Sequence, residues 1–330
     1  MNIYLLTRKI IQAFALVVIM TLIIFVVFRL MPGNPGLLLL KSANKTGTPL
    51  STKQKDAILS TLGLQDGKFS LVDFETYLYQ MFTFHWGKDF NSPGQYVYNE
   101  IANALPYTLV LIVSSALLSF AIGIPLGIVV SKMRGGKKEG VLLTTSLILN
   151  SIPYFILGVI LFLYLAVYSS VLPLKSSVPL TYITHPSLST FPILLYHIAL
   201  PFSTLLIIES MGHMITMRAA MVSTLGEDHI TTARAKGVPE KSILRKHAAR
   251  IAVIPVTTRL ALQLSFLISG SLIVAIIFNW PGMGPLLYHA VLNEDYPLSE
   301  ASTFIISLLT IVAYSLIDYI HAWLDPRIKV

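Results

Sequence analysis

Glu209 and His213 stand four residues apart inside a strongly apolar stretch, and Asp318 lies inside another. Ionisable groups in such surroundings are costly to bury, so each needs a partner or a polar route. The i, i+4 spacing puts Glu209 and His213 on one face of a helix, where they can hydrogen-bond each other. Two readings stay open: the pair lines a translocation route and meets a charged or polar substrate, or it satisfies itself within helix packing. Asp318 reads as a structural group paired across helices, and the three together are also the side chains a proton relay would use. Enzyme chemistry has little to stand on. There is no HExxH zinc pattern and no Gly-x-Ser-x-Gly elbow, and the carboxylates come from distant stretches. With no cysteine, disulfides, thiolate metal sites and thiol nucleophiles are excluded. Arg134-Gly135-Gly136-Lys137-Lys138 lacks the spacing and the trailing Ser or Thr of a phosphate-binding loop, so no nucleotide site, metal or cofactor is expected in this chain.

The second polar constellation is basic. Arg234, Lys236, Lys241, Arg245, Lys246 and Arg250 crowd the stretch from Glu227 to Pro255, between two apolar runs. Gly237 can take the left-handed conformation that ends a helix, and Pro239 suits the first turn of the next. The stretch therefore reads as two short helices around a hinge, a shape suited to docking. The plainer alternative is a solvated loop whose charge only sets topology.

These residues need a membrane scaffold to position them. The chain has 330 residues, 54% hydrophobic and 12% charged, with several apolar runs long enough for a bilayer core of roughly 30 Å. The fold expected is an all-α integral membrane protein with six transmembrane helices: 10–28, 106–130, 141–168, 193–217, 251–278 and 304–324. Residues 1–30 form the N-terminal tail and first span, with Arg29 at the far interface. Residues 31–105 form an extracytoplasmic cap, and 106–330 a five-span core with a cytoplasmic loop over 218–250. In the cap, Ser51 and Gln54 have capping-box spacing for a helix stopping near Gly63. Leu71, Phe74, Leu78 and Met81 recur at helical intervals and mark another. Tyr79, Phe82, Phe84 and Trp86 read as its core or an interfacial belt. Pro125 and Pro153 interrupt apolar helices, and Arg259 sits close enough to the inner end of its span to snorkel.

Charge placement gives the orientation. Lys and Arg number two at the N-terminus, four between spans two and three, seven from Arg218 to Arg250 and two in the tail, whereas the two short outer loops hold Lys175 alone. Basic short loops stay in the cytoplasm, which puts both termini there. The net charge of +8 thus reflects topology rather than nucleic-acid binding.

Several fragments, in order, carry a resemblance. TARAKG at 232–237, HAAR at 247–250 and Pro255 resemble the cytoplasmic coupling motif of ABC importer permeases, in the variant of the dipeptide, oligopeptide and nickel permeases. RLMPGNPG after the first span, LGL at 62–64, ALPYTL, GIPLG at 123–127, FNWPGMG at 278–284, DYP at 295–297 and LDPRI at 324–328 extend it over nearly the whole chain. The resemblance implies a multi-pass permease in a prokaryotic cell membrane, pairing with a second homologous permease to form the translocation pathway. It implies two ATP-binding subunits, which use ATP and Mg, and an extracytoplasmic substrate-binding protein. Glu227, Asp228, Thr232, Ala233, Arg234, Ala235, Lys236 and Gly237 would then form the coupling helix seated in an ATPase cleft. Dipeptide, oligopeptide and nickel or metal-chelate cargo all share this pattern. The rival class is a proton-coupled secondary transporter using Glu209, His213 and Asp318.

Overall fold

A computed structural model describes residues 3–30, 71–92, 94–178, 182, 187 and 191–324. The described residues are helical, with one isolated bridge between Lys88 and Tyr96. In chain order the helices are α1 (Ile3–Leu30), α2 (Leu71–Phe82), α3 (Val97–Ser131), α4 (Lys137–Ser151), α5 (Tyr154–Leu161), α6 (Phe191–Thr224), α7 (Asp228–Ala235), α8 (Ala249–Phe278), α9 (Met283–Leu292) and α10 (Tyr296–Leu324). π-Helical segments extend α5 over Phe162–Tyr168 and precede α8 over Ile243–Ala248. Four helices are long and apolar enough to cross a membrane, Thr7–Leu30, Val97–Ser131, Phe191–Thr224 and Tyr296–Ser315. The number is six if the broken pairs Lys137–Ser151 with Tyr154–Tyr168 and Gly270–Phe278 with Met283–Leu292 each make one span.

Two compact units divide the chain. The first takes Met1–Leu105 with Gly282–Ile311. Its core joins Val17, Ile24 and Phe25 of α1 to Tyr77 and Met81 of α2, Val97 and Ile101 of α3, and Phe304 and Ile305 of α10. The expected periodicity of Leu71, Phe74, Leu78 and Met81 does form a helix, and Phe74 meets Phe25 edge-on at 5.4 Å. Trp86 is buried and its indole N–H donates to the Met81 carbonyl at 3.3 Å, while Tyr79 and Phe84 lie exposed. The helix expected after Ser51, the RLMPGNPG turn and LGL lie outside the described residues. Arg29, at the end of α1, is buried. It is enclosed beside Glu300, 3.5 Å away, with its guanidinium 4.0 Å over the Phe25 ring, because an unpaired carboxylate and an unpaired guanidinium would each be costly inside this unit.

Asp295 caps α10. Its Oδ1 accepts the Leu298 amide at 3.0 Å, and Oδ2 accepts the Phe90 amide at 2.7 Å. Asn91 donates its backbone amide to both Asp89 and Asp295, so the two carboxyls crowd one donor. Burial, and next the neighbouring Asp89, push the Asp295 carboxyl up to about 7. Burial opposes ionisation of Asp89 too, but hydrogen bonds from the Asp295 and Glu100 carboxyls and from the Ser92 and Asn91 amides hold it below its ordinary value. Asp295 therefore binds a proton in the folded chain that the unfolded chain, at an ordinary 3.8, has released. Stability from this group is full below about pH 4 and is lost as pH rises through 7. Asp295→Asn keeps one of the two amide-accepting oxygens, at a cost that does not vary with pH, and removes the titration. Thermal melts of the full chain in detergent should show the variant gaining on wild type between pH 5 and 8; parallel curves would refute the shared proton.

The second unit takes Pro106–Pro281 with Val312–Val330. Within it, α6 packs along α4, α5 and α8. Gly123 and Gly127 of α3 let that helix approach α6 closely. A Cβ at Gly123 would collide with the Cβ of His213 and stand 2.9 Å from the Ser210 carbonyl; one at Gly127 would stand 2.8 Å from the Met214 carbonyl. Trp280 is fully buried and donates to the Tyr107 carbonyl at 2.9 Å.

Prolines do not mark the helix breaks evenly. Pro106, Pro125, Pro201 and Pro255 all lie inside continuous helices. Pro125 thus does not interrupt its helix, since one lost amide donor is tolerated where the remaining ladder is kept. The expected third span at 141–168 is broken at Ile152-Pro153, as Pro153 foretold, with α4 and the Tyr154–Tyr168 segment meeting at 100°. The second and sixth spans begin earlier than expected, at Val97 and Tyr296, because buried Val97 and Ile101 continue the helical face and Asp295 supplies a cap. After Pro281 an additional helix, α9, follows the turn.

Candidate coupling segment and interior polar cluster

The basic stretch forms two helical pieces around a hinge. Glu227 occupies the N-cap position of α7 with extended backbone, its carboxylate 3.2 Å from His229 Nδ1, and Asp228 opens the first turn. Acidic groups at this end and Arg234 and Lys236 at the other suit the helix dipole. The Thr232 hydroxyl donates to the Asp228 carbonyl at 2.9 Å. Gly237, at φ +76°, ends the helix as expected. Its amide bonds the Arg234 carbonyl at 2.9 Å and the Val238 amide bonds the Ala233 carbonyl at 3.2 Å. That is a Schellman closure, with the accompanying apolar contact supplied by Val238 and Ala233. Pro239 stands one place earlier than expected, as the N-cap of the turn Glu240–Ser242.

Arg234 grips Glu240 across the hinge with two hydrogen bonds, Nη2 to Oε1 at 3.0 Å and Nε to Oε2 at 3.3 Å. Glu240 is held below its ordinary carboxylate value, chiefly by the Arg234 hydrogen bonds. Beneath the hinge lies a compact apolar base. Ile230 of α7, Ile243, Leu244 and Ala248 of the π-helical segment, Met217 and Met221 of α6, and Ala252 and Val256 of α8 form one buried cluster. Ile230 is the one fully buried residue of α7. Asp228, Thr232, Arg234, Ala235, Lys236 and Gly237 are exposed, and Ala233 is half-buried against the base. Arg245, Lys246, His247 and Arg250 are exposed as well. The segment is thus a short helix with an open polar face, seated on the joined ends of α6 and α8.

A second site lies deeper in the same unit. Glu209 and His213 are both buried on α6, but no hydrogen bond joins them among the described residues. Glu209 turns to other partners. The Tyr154 hydroxyl donates to its Oε1, and Arg259 Nη2 stands 3.8 Å from its Oε2. The same Arg259 nitrogen donates to Asn150 Oδ1 at 3.2 Å. At 1.5 Å per residue Arg259 lies roughly 15 Å along α8 from Ala249, and it reaches sideways to Asn150 of α4 and toward Glu209 of α6. Gly212 makes this possible, since a Cβ there would collide with the guanidinium and stand 2.6 Å from Asn150 Oδ1.

His213 is sealed in by α3. Phe120 meets its ring edge-on at 5.7 Å, and the buried Gln263 of α8 is its polar neighbour. Asp318 lies in α10, and its side chain is outside the described residues. Sequence spacing had brought forward Glu209 and His213 but not Tyr154, Asn150 or Gly212. The signal that was available was Pro153, whose flanks carry both Asn150 and Tyr154.

Comparison with known proteins places this arrangement. The chain is 30% identical to the oligopeptide transport system permease protein AppB of Bacillus subtilis (strain 168), over 98% of each chain. It is 31% identical to a putative peptide transport system permease protein of Brucella abortus (strain 2308), again over 98% of each, and 28% identical to a probable peptide ABC transporter permease protein of Sinorhizobium fredii over the whole of both. Residues 123–330, which include the coupling segment and every member of the interior cluster, match the family described as binding-protein-dependent transport system inner membrane component. A buried helical scaffold carrying an exposed hinge, and relatives similar from end to end, lead to one conclusion: this chain belongs to the family of inner membrane components of binding-protein-dependent transport systems.

Proposed function

We propose that the chain is a peptide-importing permease subunit that takes its driving force from ATP hydrolysed in partner subunits. The observation that carries this is the seating of α7: a charged, exposed helix fixed by Ile230 to the ends of α6 and α8. A solvated loop that only set topology would need neither a shared apolar base nor a closed Schellman hinge. A helix so mounted can pass a push at its outer face to two long helices at once. In this reading Glu227 to Gly237 enter a cleft on an ATP-binding subunit, where ATP and Mg are used. A second homologous permease completes the pathway, and a substrate-binding protein delivers peptide from outside. Six spans put both termini in the cytoplasm, consistent with the basic loops. The peptide relatives support the cargo assignment.

The interior cluster fits a pathway wall. The Arg259 side chain is 35% exposed in the isolated chain although it lies deep along its helix. A guanidinium open on one side at that depth faces a partner subunit or a polar route rather than lipid. Glu209 shares that wall, with His213 one turn along α6 and Asp318 of α10 as further candidates.

The test is purification of the tagged full chain from its host in mild detergent, followed by uptake in liposomes. A sister permease and ATP-binding subunits should elute with it, and peptide uptake should need ATP and survive a protonophore. Uptake by the chain alone, abolished by the protonophore and indifferent to ATP, would replace this reading with a proton-driven one.

A further inference from the structure

The broken span is held from both sides by one cation. Asn150 is the second-last residue of α4 and Tyr154 the first of α5, and the 100° break at Ile152-Pro153 lies between them. Asn150 accepts from Arg259; Tyr154 donates to Glu209, which faces the same Arg259. The α8 helix touches the break a second time, at Gly270, where a Cβ would stand 3.2 Å from the Tyr154 ring. The next helix, α5, meets α8 through Gly158, 3.3 Å from the Phe278 ring on the same construction. The clasp is also incompletely closed. Glu209 Oε2 and Arg259 Nε are buried without hydrogen-bond partners among the described residues, and 3.8 Å is too long for a hydrogen bond between the two groups. Buried charged groups left this way are costly, and an arrangement in which they met would relieve that cost.

We propose that Arg259 is the positioning residue through which movement of α8 reaches the broken third span, with Glu209, Asn150 and Tyr154 as its receiving groups. The α8 helix continues directly from the π-helical segment that α7 packs against, so a displacement of the coupling segment moves Arg259 relative to α4 and α6. Closing the gap to Glu209 pulls the Tyr154 hydroxyl and the Asn150 amide with it and changes the angle at Pro153. This rests on the permease reading given above, but wild-type uptake tests that reading before any variant is made.

The experiment compares the complete transporter in liposomes carrying wild type, Arg259→Met, Arg259→Lys, Glu209→Gln or Asn150→Ala, at saturating peptide. The quantity read is peptide taken up per ATP hydrolysed. In Arg259→Met and Glu209→Gln that ratio should fall about tenfold, within the usual range for coupling between sites, while hydrolysis continues. Arg259→Lys keeps the charge but not the fork, so its ratio should fall as well. If Arg259→Met does not assemble, Arg259→Lys and Glu209→Gln decide the matter. An unchanged ratio in the assembled variants overturns the proposal. So does a loss that more peptide restores, since that would make Arg259 a substrate contact instead.

Discussion

Replacing Ile230 with Asp should abolish ATP-dependent uptake and release the ATP-binding subunits from the purified complex. Ile230 is fully buried against the apolar base formed by α6, α8 and the π-helical segment. Burying such a side chain contributes about 1.5–3 kcal/mol, most of what holds an eight-residue helix with no side-chain cap. Aspartate at this position would be an unpaired charge among Met217, Met221, Ile243 and Val256, costing several kcal/mol unless the helix lifts away. Lifting is the cheaper outcome because the rest of α7 is already solvated. The spans themselves should stay folded, so the chain should still insert and purify. Ile230→Val, by contrast, removes one methylene and should cost about 1 kcal/mol, leaving uptake near wild type. Copurification and uptake read the two variants apart. An Ile230→Asp chain that kept its ATP-binding subunits and transported normally would mean that α7 is not the docking element.

The hinge was legible in the sequence for a local reason. Gly237 after TARAK signals a left-handed helix end, and the closure it makes uses only Ala233, Arg234 and Val238, all within five residues. The helix over Leu71–Phe82 was legible in the same way, through its repeating apolar face. The partners of Glu209 were not. Spacing of four residues shows that Glu209 and His213 share a helix face, but not which neighbouring helix turns a donor toward them. Tyr154 and Arg259 reach Glu209 from other helices, across a break whose angle depends on packing. Prolines were an ambiguous guide to that break. Pro106, Pro125, Pro201 and Pro255 lie within continuous helices, whereas Pro153 and Pro281 fall at sharp breaks. What sets Pro153 apart is tertiary: Arg259 and Gly270 of α8 meet the residues on its two sides. The Asp89 and Asp295 pair escaped notice for the same reason, since only the folded chain brings Asn91 between them.

Gly123→Leu should be the most damaging single change in the membrane core. The expected result is a chain that is degraded in cells, or that melts well below wild type in detergent, with no uptake. The reason is backbone contact. A Cβ at residue 123 would collide with His213 and stand 2.9 Å from the Ser210 carbonyl, and neither can retreat, because both belong to α6, which is packed along α4, α5 and α8. Overfilling a packed interior ordinarily costs about 1–3 kcal/mol, and separating two helices held by small residues costs more, since the contact surface of the pair is lost with it. Gly127 repeats the contact one turn further on, 2.8 Å from the Met214 carbonyl, so relief at one point strains the other. Moving α6 would also displace Gly212, which leaves room for the Arg259 guanidinium, and would pull the interior clasp apart. Gly140→Ala is the matched control: a Cβ there meets nothing within 4 Å, and the helix should gain slightly from the substitution. Melting temperature and uptake, measured side by side for the two variants, test whether close approach of α3 and α6 is what the glycines supply. A Gly123→Leu chain that melted with wild type would show that α3 can stand away from α6 without cost.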